Sequence, residues 1–373
     1  MEAKYKKIKQ SIKSSILEGL IVPHEKIGSE SEMMKEFNVS RHTVRLAIGE
    51  LVNEGWLYRE QGAGTFCADR TSIDRKRSME QSQKNIAIVT TYISEYIFPS
   101  IIRGAEAFLS EHGYHVSIFN THNQYDQERM ILNKILMGSY DGVIIEPTNS
   151  ASSNPNLHYY LKLEEYQIPY VMINATYEEL EPISFMMDDQ RGGYIQAEHL
   201  IQHGHKEIAC IYKTDDVQGQ KRLKGYIKAH REMGIPINPK NMITYHTQNQ
   251  FTKPVEELKK LLAAKNNQPT AVACYNDQLV LRLMDFLREE GIQIPKDLSF
   301  VGYDDSMLAD ISEVKITSVI HPKSKLGLDA AQAIIQLIKK KVSNPETLSK
   351  LYSPELQIRQ STLKLRDDLA TTS

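Results

Sequence analysis

From Asn85 to Tyr303 one unit recurs along the chain: a short run of apolar residues followed by a stretch with helical spacing. The runs are Ile86-Ala87-Ile88-Val89, Val116-Ser117-Ile118-Phe119, Val143-Ile144-Ile145 and Tyr170-Val171-Met172-Ile173. A second set follows, with Ile208-Ala209-Cys210-Ile211-Tyr212, Ala271-Val272-Ala273-Cys274-Tyr275 and Leu298 to Tyr303. Short strands buried on both faces and joined by helices form a parallel sheet with right-handed crossovers. Helices are expected over 217–233, 255–264 and 278–290. The series occurs twice, so the prediction is an α/β region of two doubly wound lobes. In such sheets ligands bind beyond the carboxyl ends of the strands, which directs attention to the cleft between the lobes.

The residues at those ends are polar. Glu146 follows Ile145, Asn174 follows Ile173, Lys213 and Asp215-Asp216 follow Tyr212, Asn276-Asp277 follow Tyr275, and Asp304-Asp305 follow Tyr303. Carboxylates and amides accept from sugar hydroxyls, Lys213 and Arg222 can donate to them, and the rings of Tyr92 and Phe98 can cover the apolar face of a sugar. Each residue alone could simply cap the next helix, Asp277 and Asp304 in particular. If Glu146, Asp277 and Asp304 converge, negative charge exceeds positive charge, which favours a neutral sugar over a sugar phosphate or sugar acid.

Ahead of this region lies a smaller unit. Ser29 with Glu32 has the form of a capping box, opening a helix that carries Met33, Met34 and Phe37 inward. After Asn38-Val39-Ser40 a second helix starts at Arg41 with Ser40 as N-cap, and Val44, Ile48, Leu51 and Val52 recur at helical spacing. Two helices joined by so short a turn form a helix-turn-helix, whose second helix enters the major groove. Its first residues are Arg41, His42, Thr43 and Arg45. Arginine matches the paired acceptors of guanine, and Ser40 and Thr43 can bond to phosphate or base. Trp56 to Arg59 and Thr65 to Cys67 flank Gln61-Gly62-Ala63-Gly64, which predicts a two-stranded wing with a glycine-rich tip. An opening helix over 4–20 is expected to bury Ile8, Ile12, Ile16 and Leu20.

With 373 residues, 41% hydrophobic and 25% charged, the chain has material for two or three cores. A formal net charge of -2 excludes DNA binding by bulk positive charge and requires a local basic surface; Lys4, Lys6, Lys7, Lys9 and Lys13 can supply part of it, although for most of them a solvated helix face is the expected role. Three cysteines, widely spaced and odd in number, suit a reducing cytoplasm. No leader or membrane-spanning run is read, so neither export nor anchoring is expected. No Gly-x-Gly-x-x-Gly follows a strand and no phosphate loop or nucleophile–base pair is found, so no enzyme, cofactor or metal is expected. His199, His203 and His205 suit a helix end better than a metal site.

Residues 1–69 resemble the winged helix-turn-helix of GntR-type bacterial regulators. The resemblance rests on Leu20-Ile21-Val22-Pro23, Ser29-Glu30-Ser31-Glu32, Val39 to Arg45 and Gly62-Ala63-Gly64-Thr65-Phe66. It implies operator contact at Lys4, Glu30, Arg41, His42, Arg45, Gln61 and Gly62. Ala63 departs from the pattern, where a basic or small polar residue is commoner. Residues 85–362 resemble the sensor of LacI-type repressors and the periplasmic sugar-binding proteins, as seen in Tyr140-Asp141-Gly142-Val143-Ile144, Arg222-Leu223-Lys224-Gly225-Tyr226 and Val301 to Ser306.

That second resemblance implies effector contacts at Phe98, Glu146, Asn174, Asp216, Gln218, Arg222, Asp277, Asp304 and His321. It also implies lobe crossovers near Ile183, His321 and Val342, and a homodimer made by the sensor. The implied plan is a linker over 70–84, lobe 1 over 85–183 and 322–342, lobe 2 over 184–320 and 351–362, and a tail over 363–373. A dimer suits a palindromic operator. The pairing of such a head with such a sensor resembles the repressors of bacterial L-arabinose utilisation operons, which implies L-arabinose as effector. The residue types by themselves leave open another neutral sugar or a protein partner.

Overall fold

The computed structural model describes residues 4–69, 84–93, 96–341 and 343–365. The expected linker 70–84 lies outside them except for Lys84, as do Val342 and residues 366–373 of the expected tail.

The head contains α1 (Lys4–Leu17), α2 (Glu30–Glu36), α3 (Arg41–Asn53), β1 (Leu57–Glu60) and β2 (Gly64–Cys67). The capping box forms as its spacing predicts: the Glu32 amide donates to Ser29 Oγ at 3.3 Å and the Ser29 amide donates to Glu32 Oε2 at 2.7 Å. Ser40 Oγ accepts from the Thr43 amide and starts α3. The two strands pair antiparallel, from Leu57 opposite Cys67 to Glu60 opposite Gly64. Ile8, Leu17, Val44, Ala47, Leu51 and Trp56 form the buried core beneath them.

Two expectations for the first helix are corrected. It ends at Leu17, because Gly19 turns the chain with φ +73°, and Leu20 beyond that turn is 69% exposed while Leu17 is buried in its stead. Lys9 and Lys13 belong neither to a solvated face nor to a DNA-facing surface. Lys9 Nζ bonds to Glu50 and Glu54 at 2.7 and 2.5 Å, and Lys13 Nζ lies 2.6 Å from Glu54 and over the Trp56 ring. These pairs tie α1 to the end of α3.

The rest of the chain forms two lobes. Their strands are β3 (Asn85–Thr90), β4 (His115–Asn120), β5 (Gly142–Ile145), β6 (Tyr170–Ile173), β7 (Ser184–Met187), β8 (Ile208–Lys213), β9 (Met242–Tyr245), β10 (Ala271–Cys274), β11 (Ser299–Asp304), β12 (Thr317–Ile320), β13 (Lys350–Tyr352) and β14 (Leu356–Gln357). Their main helices are α4 (Phe98–Glu111), α5 (Tyr125–Met137), α6 (Leu157–Glu165), α7 (Asp189–Gln202), α8 (Val217–Glu232), α9 (Lys253–Leu262), α10 (Asp277–Glu289), α11 (Met307–Ile311) and α12 (Lys323–Ile338). Lobe 1 is a six-stranded sheet in the order β13-β7-β6-β5-β3-β4, and lobe 2 is a six-stranded sheet in the order β14-β12-β11-β10-β8-β9. Among the described residues, every strand pairing in the two lobes is parallel except that of β14 with β12.

This topology moves two of the three expected crossovers. The strand Ser184–Met187 pairs with β6, so the chain leaves lobe 1 after Met187, one strand beyond the expected place near Ile183. Lys350–Tyr352 pairs with that same strand, so the last crossing lies between Tyr352 and Leu356 and not near Val342. The middle crossing follows Ile320, at His321.

Helices α7 and α8 approach each other unusually closely, and this places Arg222. A Cβ built on Gly193 would stand 2.0 Å from the Arg222 carbonyl oxygen, and one on Gly225 would stand 2.0 Å from that of Gln190. Main chain cannot yield at such a distance without separating the helices. Gly193→Ala is therefore expected to destabilise lobe 2 by about 2 kcal/mol or more, read as a lower urea midpoint. A midpoint equal to that of the parent protein would show that the two helices can slide apart freely.

Candidate functional site: a head surface and an interlobe cleft

On the head, the start of α3 projects into solvent. The side chains of Arg41 and Arg45 are 69% and 65% exposed, and Glu30 at the start of α2 bonds to both, at 2.8 Å from Arg41 Nε and 3.5 Å from Arg45 Nε. Glu30 thus braces the two arginines. Ser40 Oγ and Thr43 Oγ1 bond to one another at 2.8 Å. His42, Gln61 and Gly62 are exposed, Gly62 with φ +81° at the wing tip, and Lys4 is exposed at the start of α1. Lys26, absent from the expected residues, also belongs to this surface: it is exposed, bridges to Phe66, and lays its stem against Gly64 of the wing. No local motif marks it, because the bridge joins segments distant in sequence.

The cleft between the lobes encloses a cavity of about 130 Å³, small beside the ~300–1,000 Å³ of drug-sized sites. It lies at the carboxyl ends of the strands, and its wall includes Phe98, Glu146, Asn174, Lys213, Asp216, Gln218, Arg222, Asp304 and His321. Asp277 is not part of that wall, contrary to expectation. Its carboxylate turns inward and accepts from the Ser306 amide at 2.8 Å, Ser306 Oγ at 2.9 Å and Ser318 Oγ at 2.6 Å. Three donors in one place outcompete solvent or ligand for a buried carboxylate. Asp277 is therefore a fastener of lobe 2, while its neighbour Asn276 caps α10.

Arg222 is the hub. Its Nε donates to Asp189 Oδ1 at 2.8 Å, its Nη1 donates to the Tyr275 carbonyl at 2.6 Å, and Nη2 stands 3.9 Å from Asp304 Oδ1. The guanidinium lies 3.5 Å from the Tyr303 ring centroid and 4.8 Å from that of Tyr275. Burial works most strongly against its charge, but Asp189, Tyr303, Asp304 and Tyr275 together outweigh it and hold the guanidinium protonated. Of its five N–H donors, Nε and one on Nη1 are committed, and the others remain available to a ligand.

Opposite, in lobe 1, Glu146 Oε2 accepts from the Thr91 amide at 2.9 Å and Thr91 Oγ1 at 2.5 Å, and Oε1 accepts from Asn174 Nδ2 at 2.8 Å. Burial pushes the Glu146 carboxyl upward, against these three bonds. Asn174 Oδ1 and His321 Nδ1 are buried and have no hydrogen-bond partner. Burial, with Lys323 and Arg222 nearby, pushes His321 down to about 3, so the ring is neutral at physiological pH. Two orphaned polar atoms on one small cavity are what a polyhydroxylated ligand would satisfy.

Other predicted residues divide by role. Asp216 caps α8 through the Gly219 amide at 2.7 Å, accepts from the Tyr275 hydroxyl at 2.7 Å, and pairs with Lys213 at 3.1 Å. Gln218 Oε1 lies 3.4 Å from Ser150 Oγ of the other lobe. Phe98 starts α4 and meets Tyr92 at a centroid distance of 6.0 Å. Asp189, Tyr96, Tyr275 and Arg282 also line the cavity. Asp189 closely follows an apolar run, Phe185-Met186-Met187, so the strand-end pattern could have found it had that strand been read. Four carboxylates, Glu146, Asp189, Asp216 and Asp304, face three cations, Lys213, Arg222 and Arg282. The negative surplus persists without Asp277.

His199 and His205 hold the end of the chain: His199 Nε2 meets Thr362 Oγ1 at 3.0 Å, and His205 Nε2 meets the Leu363 carbonyl at 3.0 Å. Among the described residues, no group of three His, Cys, Asp or Glu side chains could hold a metal, and no helix is long and apolar enough to cross a membrane. Cys67, Cys210 and Cys274 are buried and unpaired.

A winged helix-turn-helix bearing exposed arginines, joined to a two-lobed α/β unit with a polar cleft, defines a DNA-binding transcription regulator with a small-molecule sensor. Residues 4–67 match the gntR family of bacterial regulatory proteins, and residues 197–362 match the periplasmic binding protein-like domain. The chain is 56% identical over 372 residues to the arabinose metabolism transcriptional repressor of Halalkalibacterium halodurans, covering 99% of each chain. It is 44% identical to the protein of the same name from Geobacillus stearothermophilus, over 97% of this chain and 98% of that one. The chain belongs to the family of arabinose metabolism transcriptional repressors, regulators and not enzymes. The same fold is seen in the transcriptional regulator CelR in complex with cellobiose, with TM-score 0.66, 23% identity, and coverage of 87% of this chain and 91% of that one. A LacI family regulator from Enterococcus faecium with bound ribose shares it at TM-score 0.64 and 24% identity, over 76% of this chain and 100% of that one.

Proposed function

We propose that the cleft binds L-arabinose and that binding releases a homodimer of this chain from a palindromic operator. The observation that carries the sugar reading is the opposition of Arg222 in lobe 2 to Glu146 and Asn174 in lobe 1 across a cavity of about 130 Å³. Donors and acceptors at that spacing suit a ligand of monosaccharide size, and the surplus of carboxylates disfavours a phosphate or acid group. The choice of arabinose rests on the name borne by the relatives that match the whole chain.

Operator contact falls to Arg41, His42 and Arg45, with Ser40, Thr43, Lys4, Gln61 and Gly62 against the phosphates and groove walls. Sensor dimerisation presents two heads to two half-sites. Closed lobes fix one arrangement of the sensors. Here they are held together by Asn123 Nδ2 donating to Thr247 Oγ1 at 3.2 Å and the Val217 amide donating to Ser150 Oγ at 3.0 Å. Release requires the sugar to favour the DNA-free form by ~1–3 kcal/mol, the usual scale of such coupling.

Isothermal titration with L-arabinose, D-galactose, D-xylose and a sugar phosphate tests the ligand. Saturable heat from arabinose alone is expected, and operator shifts with and without it then read the coupling. Equal affinity for the sugar in the presence and absence of operator would overturn the release mechanism.

A further inference from the structure

Asp304 stands at the end of β11 in a conformation that an aspartate rarely adopts. Its φ is +90°, and that of Asp305 is +43°, so two successive residues with side chains occupy the left-handed region. Such a turn persists only where its surroundings hold it. The three carbonyls along it are each held by a side chain from the lobe 1 side. Tyr303 O accepts from the Tyr96 hydroxyl at 2.7 Å, and Asp304 O and Asp305 O accept from Lys323 Nζ at 2.6 and 2.7 Å.

The two holders differ in where they stand. Lys323 opens α12 just after the crossover at His321, beside the hinge. Tyr96 comes from the loop between β3 and α4, and its hydroxyl crosses the cleft to reach a carbonyl 207 positions away. It also accepts from the Asp277 amide at 3.0 Å. A bond across the cleft exists only while the lobes are together, whereas the hinge-side bonds need not break when they part. Opening the cleft therefore removes one support from the turn that carries Asp304. The Asp304 carboxylate is also where the turn meets the ligand wall, 3.9 Å from Arg222 Nη2.

We propose that Tyr96 is a positioning residue of the effector site: in the closed form its hydroxyl fastens the Tyr303–Asp305 turn and so aims the Asp304 carboxylate at the ligand beside Arg222. The inference rests on the cleft being the sugar site. It makes the pocket complete only on closure, so affinity and closure are linked through one hydroxyl. The Tyr303 carbonyl and the Asp277 amide are main-chain groups, so the latch acts on the backbone of lobe 2. Burial and the neighbouring carboxylates of Asp277 and Asp304 push the phenol well above its ordinary range, which keeps the donor proton in place at any working pH.

Tyr96→Phe keeps the ring and deletes the hydroxyl. Calorimetry should show affinity for L-arabinose lowered about tenfold. Asp304→Asn lowers affinity further, and in the double variant the combined loss should fall short of the product of the two single losses, because both variants weaken one contact. Losses that multiply, or a Tyr96→Phe protein that binds like the parent, would overturn the proposal. A second readout needs no sugar. Spin labels on Glu111→Cys and Lys265→Cys, exposed sites on the two lobes, report lobe separation, the native cysteines being buried. Tyr96→Phe should shift the distance distribution toward the open form, and an unchanged distribution counts against the latch. If the parent protein gives no heat with arabinose, the effector reading fails, while the label distances still decide the latch.

Discussion

Arg222→Ala is expected to abolish measurable arabinose binding, an affinity loss of ~10³-fold or more, and to leave operator binding insensitive to the sugar. The size follows from the number of contacts that end at this side chain. It carries the free donors that face the cavity, and it is the partner of Asp189, the Tyr275 carbonyl and the Tyr303 ring. Truncating one member of a buried ion pair strands the other, at ~3–5 kcal/mol. Burial already pushes the Asp189 carboxyl up, and Arg222 is what restrains it. The variant should therefore also melt earlier. Adding Asp189→Asn removes the stranded charge, so the double variant is expected to regain much of the lost stability without regaining sugar binding. Calorimetry beside a urea melt separates these effects. Recovery of both stability and arabinose affinity in the double variant would show that Arg222 holds the fold and does not meet the ligand.

Arg45→Ala should do the converse. Operator affinity is expected to fall ~10- to 100-fold, the scale of one good base contact, and discrimination between operator and unrelated DNA should fall with it. The sugar titration should remain that of the parent protein, because Arg45 is 65% exposed and its ion pair is with Glu30 of the same head. Mobility shifts at two salt concentrations sharpen the test. If the arginine meets a phosphate, its removal should reduce affinity for all sequences alike and flatten the salt dependence; if it meets a base, its removal should relax specificity. Loss of sugar binding in this variant would refute the separation of head from sensor. Glu30 has a part in both outcomes, since it braces Arg41 and Arg45 together.

The local signals in the chain were legible because each spans only a few residues. Ser29 and Glu32 meet across one helical turn, as do Ser40 and Thr43, and both caps form at the positions their spacing indicates. The strand-end polar residues Glu146, Asn174, Lys213, Asp216 and Asp304 reach one cleft because parallel strands all deliver their carboxyl ends to the same edge. Elements without a strong local period were harder to see. The strand Ser184–Met187 begins with a polar residue, and β13 and β14 hold only three and two residues, so no periodicity announces them. With those strands unseen, the crossovers were expected away from Met187 and Tyr352.

The sequence by itself thus determined a winged head, a two-lobed parallel α/β sensor and the class of residue at the cleft, all from patterns with periods of about two to four residues. Only the tertiary structure decided which way individual side chains face. Asp277 turns to Ser318, 41 positions away, and leaves the cleft, while Tyr96 reaches across it to a carbonyl 207 positions away. Lys9 and Lys13 turn to Glu50 and Glu54 and leave the DNA-facing surface. In each case the direction was set by a polar partner brought close by packing, and a buried charge or hydroxyl goes where it can be paired.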